Sequence, residues 1–160
     1  MAEVLKKFKK NSSEEIWITV ADYKERKLLD LRVYYRSIDD LEMRPTKRGV
    51  SLPLAKTADL LAALEKITPM TKLGEPVARI DKNDTETVFV TLKEFKGRKL
   101  VDVRTYFRPS IGLDLIPSQK GVAFKFDPQS TVLDEFKEAL RQALTPADKK
   151  AGGPPEPPRD

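Results

Sequence analysis

Residues 27–36 read KLLDLRVYYR, and residues 99–108 read KLVDVRTYFR. The two stretches share Lys, Leu, Asp, Arg, Tyr and Arg at the same places, 72 residues apart. Working outward at that offset, Ile16 falls on Val88, Trp17 on Phe89 and Tyr23 on Phe95. Downstream, Pro45, Gly49 and Val50 fall on Pro117, Gly121 and Val122. Over 16–50 against 88–122 there is no gap, and 13 of 35 pairs are identical. The chain is a tandem repeat. Two copies argue for two-fold pairing within one chain rather than a solenoid.

Each copy reads as strands followed by a helix. EIWITVADY alternates and is rich in β-branched and aromatic residues, as a strand is. KERK at 24–27 and KGRK at 96–99 are hairpin connections. Gly97 suits a positive φ and Glu25 does not, so the two turns are expected to differ. KLLDLRVYYR is the second strand. LEMRP and RGVSL read as two shorter strands, with Pro45 and Gly49 at the bend. The period then lengthens: Leu60, Leu61, Leu64 and Ile67 share one helical face in 54–67, and Leu133, Phe136, Leu140 and Leu144 one in 129–144. Asp127-Pro128 reads as the cap and first position of the second helix, which needs three or four extra residues before it. The expected fold is α+β: two ββββα repeats, each a curved antiparallel sheet on one helix, paired as an intramolecular pseudo-dimer. The expected segments are a basic flexible arm at 1–14, repeats at 15–67 and 86–144, a linker at 68–85 and a disordered Pro/Gly tail at 145–160. VARI at 77–80 is a short strand candidate inside the linker.

Composition narrows the chemistry. With no cysteine, disulfides, thiolate metal sites and thiol catalysis are out. With no histidine, the commonest general base and metal ligand is missing. No apolar run approaches the ~20 residues that span a bilayer, and the N-terminus has no signal-like apolar region. We expect no membrane, no cofactor, no metal and no enzyme. The net charge of +5 does not make a polycation, so any role with nucleic acid depends on where the cations sit.

Alternation places them. Leu29, Leu31, Val33 and Tyr35 share one strand face, and Leu28, Asp30, Arg32, Tyr34 and Arg36 the other. In copy two Leu100, Asp102, Arg104, Tyr106 and Arg108 make the polar face. Trp17 and Tyr23, matched by Phe89 and Phe95, lie on the mixed face of the preceding strand. Aromatics set between cations suit unpaired bases, each stacked base being worth about 1–3 kcal/mol, while cations follow the phosphates. The alternative is a solvated face on which Asp30 and Arg32 form an ion pair. Asp30 and Asp102 also recur as metal-holding carboxylates do, but the Arg two residues on favours a structural pair.

The hairpin TVADYKERKLLDLRVYYR followed by LEMRPTKRGVSL, and TLKEFKGRKLVDVRTYFR followed by LDLIPSQKGVAF, resemble the C-terminal single-stranded-DNA-binding domain of the transcriptional coactivator positive cofactor four. The resemblance covers about 50 residues of each copy. It implies a curved four-stranded sheet on one helix, two such units dimerising to expose grooves to single-stranded or melted DNA. It puts the hairpin aromatic on Tyr23 and Phe95, and hairpin cations on Lys24, Arg26, Lys96 and Arg98. The strand-two arginine becomes Arg32 and Arg104, the stacking aromatic Tyr35 and Phe107, and the basic turn Arg44, Lys47 and Arg48. Copy two has Ile116 and Gln119 in that turn and keeps only Lys120, so copy one is expected to hold phosphate more strongly. Alternation puts Tyr35 and Phe107 on the apolar face, the resemblance puts them on bases, and a bulge would reconcile the two.

The expected interface thus comprises Trp17, Tyr34, Arg36, Phe89, Tyr106 and Arg108 together with the residues just named. The expected partner is single-stranded DNA, with RNA on the same surface, or a protein scaffold role in a transcription complex, as alternatives. The expected location is the bacterial cytoplasm, with the nucleoid, or the eukaryotic nucleus. KKFKK at 6–10 reads as a solvated terminus, or as a DNA-contacting tail or nuclear signal.

Overall fold

Alternation along the repeated stretch resolves into an inside and an outside. The computed structural model describes residues 2–144 apart from 111 and 128, so the expected tail lies outside the described residues. Leu29, Leu31 and Val33 are buried, as are Val101, Val103 and Thr105 of copy two. Asp30, Arg32 and Tyr34, between them, are half-buried on the other face.

The first repeat is a meander of β1 (Ala2–Lys9), β2 (Glu14–Tyr23), β3 (Arg26–Arg36) and β4 (Met43–Pro53), then a single 3-10 turn and α1 (Thr57–Glu65). The second is β5 (Pro76–Asp81), β6 (Glu86–Phe95), β7 (Arg98–Phe107), β8 (Ile116–Lys125) and α2 (Val132–Leu144). Each antiparallel sheet follows chain order, so the ββββα pattern holds twice. α2 starts three residues later than the repeat offset would place it.

The strands that fill the pattern differ from expectation in two ways. The basic arm is not a frayed terminus: it holds β1, which pairs with β2 and buries Phe8. In the linker the strand candidate VARI at 77–80 is present as β5, and it belongs to the second sheet, paired with β6. Conversely, LEMRP and RGVSL are one strand, β4, with a bulge. Arg32 pairs with Gly49 and Tyr34 with Pro45, so β4 carries two more residues than β3 over that step. Thr46 closes the bulge, donating from Oγ1 to the Val33 carbonyl at 2.7 Å and accepting from the Arg48 N–H at 3.1 Å. Ser118 repeats this with Thr105 and Lys120.

Turn chemistry also repeats. The Asn11 side-chain oxygen accepts from the Ser13 and Glu14 N–H groups at 2.9 Å, and Asn83 does the same for Thr85 and Glu86. The β2–β3 and β6–β7 connections turn out alike. Lys24 and Glu25 have φ of 50° and 64°, Lys96 and Gly97 of 53° and 79°, so both are two-residue loops with two positive φ values. Glu25 simply occupies the position that suits glycine. At α2, Asp127 accepts from the Gln129 N–H ahead of the helix. The capping position is Thr131, whose carbonyl accepts the first helical bond from Glu135. Pro128 lies outside the described residues.

One core runs through both repeats. Phe136 of α2 is fully buried and stacks on Phe124 of β8 at 4.7 Å and on Phe8 of β1 at 5.8 Å. α1 touches α2, β5 and β6, and β4 lies against β8. Lys6–Glu135 and Arg141–Glu65 ion pairs also cross between the repeats. Each helix therefore reaches elements of the other copy.

Candidate nucleic-acid interface

The outer sheet faces carry the expected aromatics, but most of their arginines are already held. Arg32 donates from Nε and Nη2 to both oxygens of Asp30, at 3.1 and 2.9 Å, and from Nη1 to the Thr46 carbonyl at 2.8 Å. Arg104 copies this with Asp102 and the Ser118 carbonyl. Each guanidinium lies flat against the glycine of the neighbouring strand: a Cβ at Gly49 or Gly121 would sit 2.6 or 2.8 Å from the arginine Cζ. That close approach explains the repeated glycine. The carboxylates are completed differently. Ser51 donates to Asp30 at 2.7 Å, whereas Asp102, with Ala123 beside it, takes Lys93 at 3.4 Å.

Other expected cations are engaged as well. Arg36 and Arg108 hold the carbonyls of Leu41 and Leu113 in the loops after their strands. Arg44 pairs with Asp40 and Arg48 with Glu14. The Arg48 hydrogen bond, more than that of Asn11, holds the Glu14 carboxyl below its usual range despite partial burial. Lys120 sits 3.6 Å from Glu86, whose carboxyl is lowered chiefly by the Asn83 amide. Among the described residues, Lys24, Arg26, Lys47, Lys96 and Arg98 have no acidic partner.

These free cations fall in two settings. At the hairpin tips, Tyr23 and Phe95 are 58% and 59% exposed, and Lys24 and Lys96 stand 5.2 and 5.3 Å over their rings. Arg26 and Arg98 face Tyr23 and Phe95 across the turns. Six residues of strand, roughly 20 Å, separate each tip from Trp17 or Phe89, so the structure does not gather tip and platform into one cluster.

On the platforms, Trp17 stacks on Tyr34 with centroids 3.9 Å apart and planes 12° apart, and Lys7 of β1 lies 4.1 Å over its ring. Burial, followed by the Asp30 charge, raises the Tyr34 hydroxyl pKa. In copy two, Phe89 meets Tyr106 edge-on at 88°, with Arg79 6.0 Å from the Phe89 ring. Tyr35, at 41% exposed, is outside the core. Phe107, half-buried, lines a groove of about 740 Å³ with Lys93, Arg104, Tyr106, Lys120 and, from the first repeat, Lys47. The strand ends beside the bulge thus peel away from the core. The expectation of stronger phosphate binding by copy one meets an obstacle: Arg44 and Arg48 are paired, and Lys47 lines copy two's groove.

Lys7 was weighed only within a DNA-contacting tail at 6–10, and Arg79 and Lys93 were missed as interface candidates. Lys7 lay in the expected arm, and Arg79 in VARI, a strand candidate that was not joined to the second sheet. The offset of 72 continues through them: Phe8 falls on Ile80, Lys10 on Lys82, Asn11 on Asn83 and Glu14 on Glu86.

Comparison with known proteins adds to this geometry. The family model described as Transcriptional Coactivator p15 (PC4) matches twice, over residues 10–63 and 82–134. Among solved structures, a PC4 homologue from Burkholderia pseudomallei K96243 is similar, at 24% identity and a TM-score of 0.40, over 48% of this chain and 96% of that one. No curated protein matches the chain.

Proposed function

The chain belongs to the Transcriptional Coactivator p15 (PC4) family, whose domains bind nucleic acid, and on that premise we propose that it binds single-stranded DNA or melted duplex. It would act without catalysis, as a coactivator-like factor of transcription. The observation that carries the reading is the pairing of exposed rings with unpartnered cations: Tyr23, Lys24 and Arg26, Phe95, Lys96 and Arg98, and the groove at Phe107. Flat rings with cations beside them match unstacked bases and their phosphates, and duplex bases are already stacked. Two fused repeats would do the work of a homodimer. Pairing is then intramolecular and unaffected by dilution, and each half is free to diverge.

The test is a titration with labelled oligo-dT and with a duplex of equal length, at two salt concentrations. Tighter binding of oligo-dT, falling steeply with salt, is expected. Equal or tighter duplex binding refutes the reading. Replacing Lys24, Arg26, Lys96 and Arg98 together by Ala should weaken oligo-dT binding and flatten its salt dependence. A matched RNA oligomer in competition separates DNA from RNA.

A further inference from the structure

Resting on that reading, we infer that the two platforms are unequal, and that one nucleotide segment seats per chain, in the second repeat's groove, with Lys47 of the first repeat closing on its phosphate. The first repeat's platform is already filled from within. Tyr34 lies on Trp17 at 3.9 Å and 12°, the arrangement an incoming base would need, and Lys7 covers the ring at 4.1 Å. Arg48, its turn cation, is held by Glu14. Ala21 stands where the second repeat has Lys93.

The second groove is open and cationic. Phe89 meets Tyr106 edge-on at 88°, so one ring's face takes the other's edge and the two do not lie in a filled parallel stack as Trp17 and Tyr34 do. Among the described residues no ring or cation lies over Phe107 or over its counterpart Tyr35; what marks Phe107 is the groove that it lines with Lys93, Arg104, Lys120 and Lys47. Its volume of about 740 Å³ is in the range that holds small ligands. Lys120 meets Glu86 only at 3.6 Å and keeps a 61% exposed side chain, so it can turn to an anion. Lys47 reaches the groove because β4 lies against β8, and among the described residues no carboxylate pairs with it. Flat rings with cations on two sides suit one base and its flanking phosphates. An arrangement built from both repeats is occupied once per chain.

The experiment uses the full chain and a short labelled oligo-dT, read for stoichiometry and affinity. Phe107→Leu keeps apolar volume but removes the flat face, and should weaken binding about 5- to 100-fold. Tyr35→Leu, its counterpart, should change affinity less than twofold. Lys47→Glu, at an exposed position, should weaken binding and lower the log–log salt slope by about 0.7. It carries the test if Phe107→Leu loses the fold. Saturation at one oligomer per chain supports the inference. Two equal sites, equal losses for Tyr35→Leu and Phe107→Leu, or an unchanged Lys47→Glu overturn it and leave single-strand binding standing. Absence of oligo-dT binding by the unmodified protein overturns both.

Discussion

Replacing Gly121 by Ala should destabilise the protein by about 2 kcal/mol, for a reason confined to one side chain. Gly121 needs no unusual φ. What it provides is room: an added Cβ would meet Arg104 Cζ at 2.8 Å, Nη1 at 2.9 Å and Cβ at 3.0 Å. The guanidinium must move, and with it go two hydrogen bonds to Asp102 and one to the Ser118 carbonyl. Asp102 is only 3% exposed and would keep Lys93 at 3.4 Å. Removing one partner of a buried pair costs about 3–5 kcal/mol. The remaining lysine and the displaced but present arginine bring that to about 3 kcal/mol. Alanine's lower unfolded-state entropy offsets about 0.5–1 kcal/mol. At this size the net loss lowers Tm by about 4–8 °C. The decisive assay is a double-mutant cycle by urea denaturation. In an Arg104→Ala background only the Cβ contact remains, so Gly121→Ala should cost under about 0.5 kcal/mol there. Equal costs in both backgrounds, or no cost in the unmodified protein, would refute the argument.

Glu25→Gly should stabilise the first hairpin by about 0.5–1 kcal/mol. It removes about 1–2 kcal/mol of left-handed strain, and glycine's entropy takes part of that back. Thermal melting checks it, and Lys96-Gly97 shows the loop already built that way. Acid should weaken the protein partly through Glu14. Its folded pKa is depressed by Arg48, so its contribution is full above pH 4.5, the ordinary glutamate value, and is lost as pH falls through the lower folded one. A Glu14→Gln variant should therefore show a shallower loss of stability with acid in that window, measured by denaturation at a series of pH values.

The duplication and the two faces of the central hairpin were legible because both depend on local pattern. Leu29, Leu31 and Val33 had to go inward once the strand was recognised, and Asp30 and Arg32 lie two apart on one face, where their side chains meet. The outer strands were less legible. AEVLKKFK has one buried residue, Phe8, and an edge strand with so little core reads as a charged terminus. Its twin at 76–81 read as a short strand candidate in a linker, because the two stretches diverged and the match is kept mainly at the turn that follows, at Lys10, Asn11 and Glu14 against Lys82, Asn83 and Glu86. The site was legible in its rings and misjudged in its arginines. A list of cations does not say which are neutralised, and Arg44 and Arg48 look as free in sequence as Lys47.

By itself, the sequence determined that this protein is two copies of one strand-rich unit, with an apolar face toward helices and a ring-and-cation face outward. Those features follow from side-chain order along a strand and need no knowledge of what packs where. Only the tertiary structure decided how the copies meet, through Phe136 between Phe8 and Phe124, and through β4 against β8. It also decided which cations stay unpaired. Charges separated by long stretches of chain neutralise one another only where the fold brings them within a few ångströms, as it does for Glu14 and Arg48.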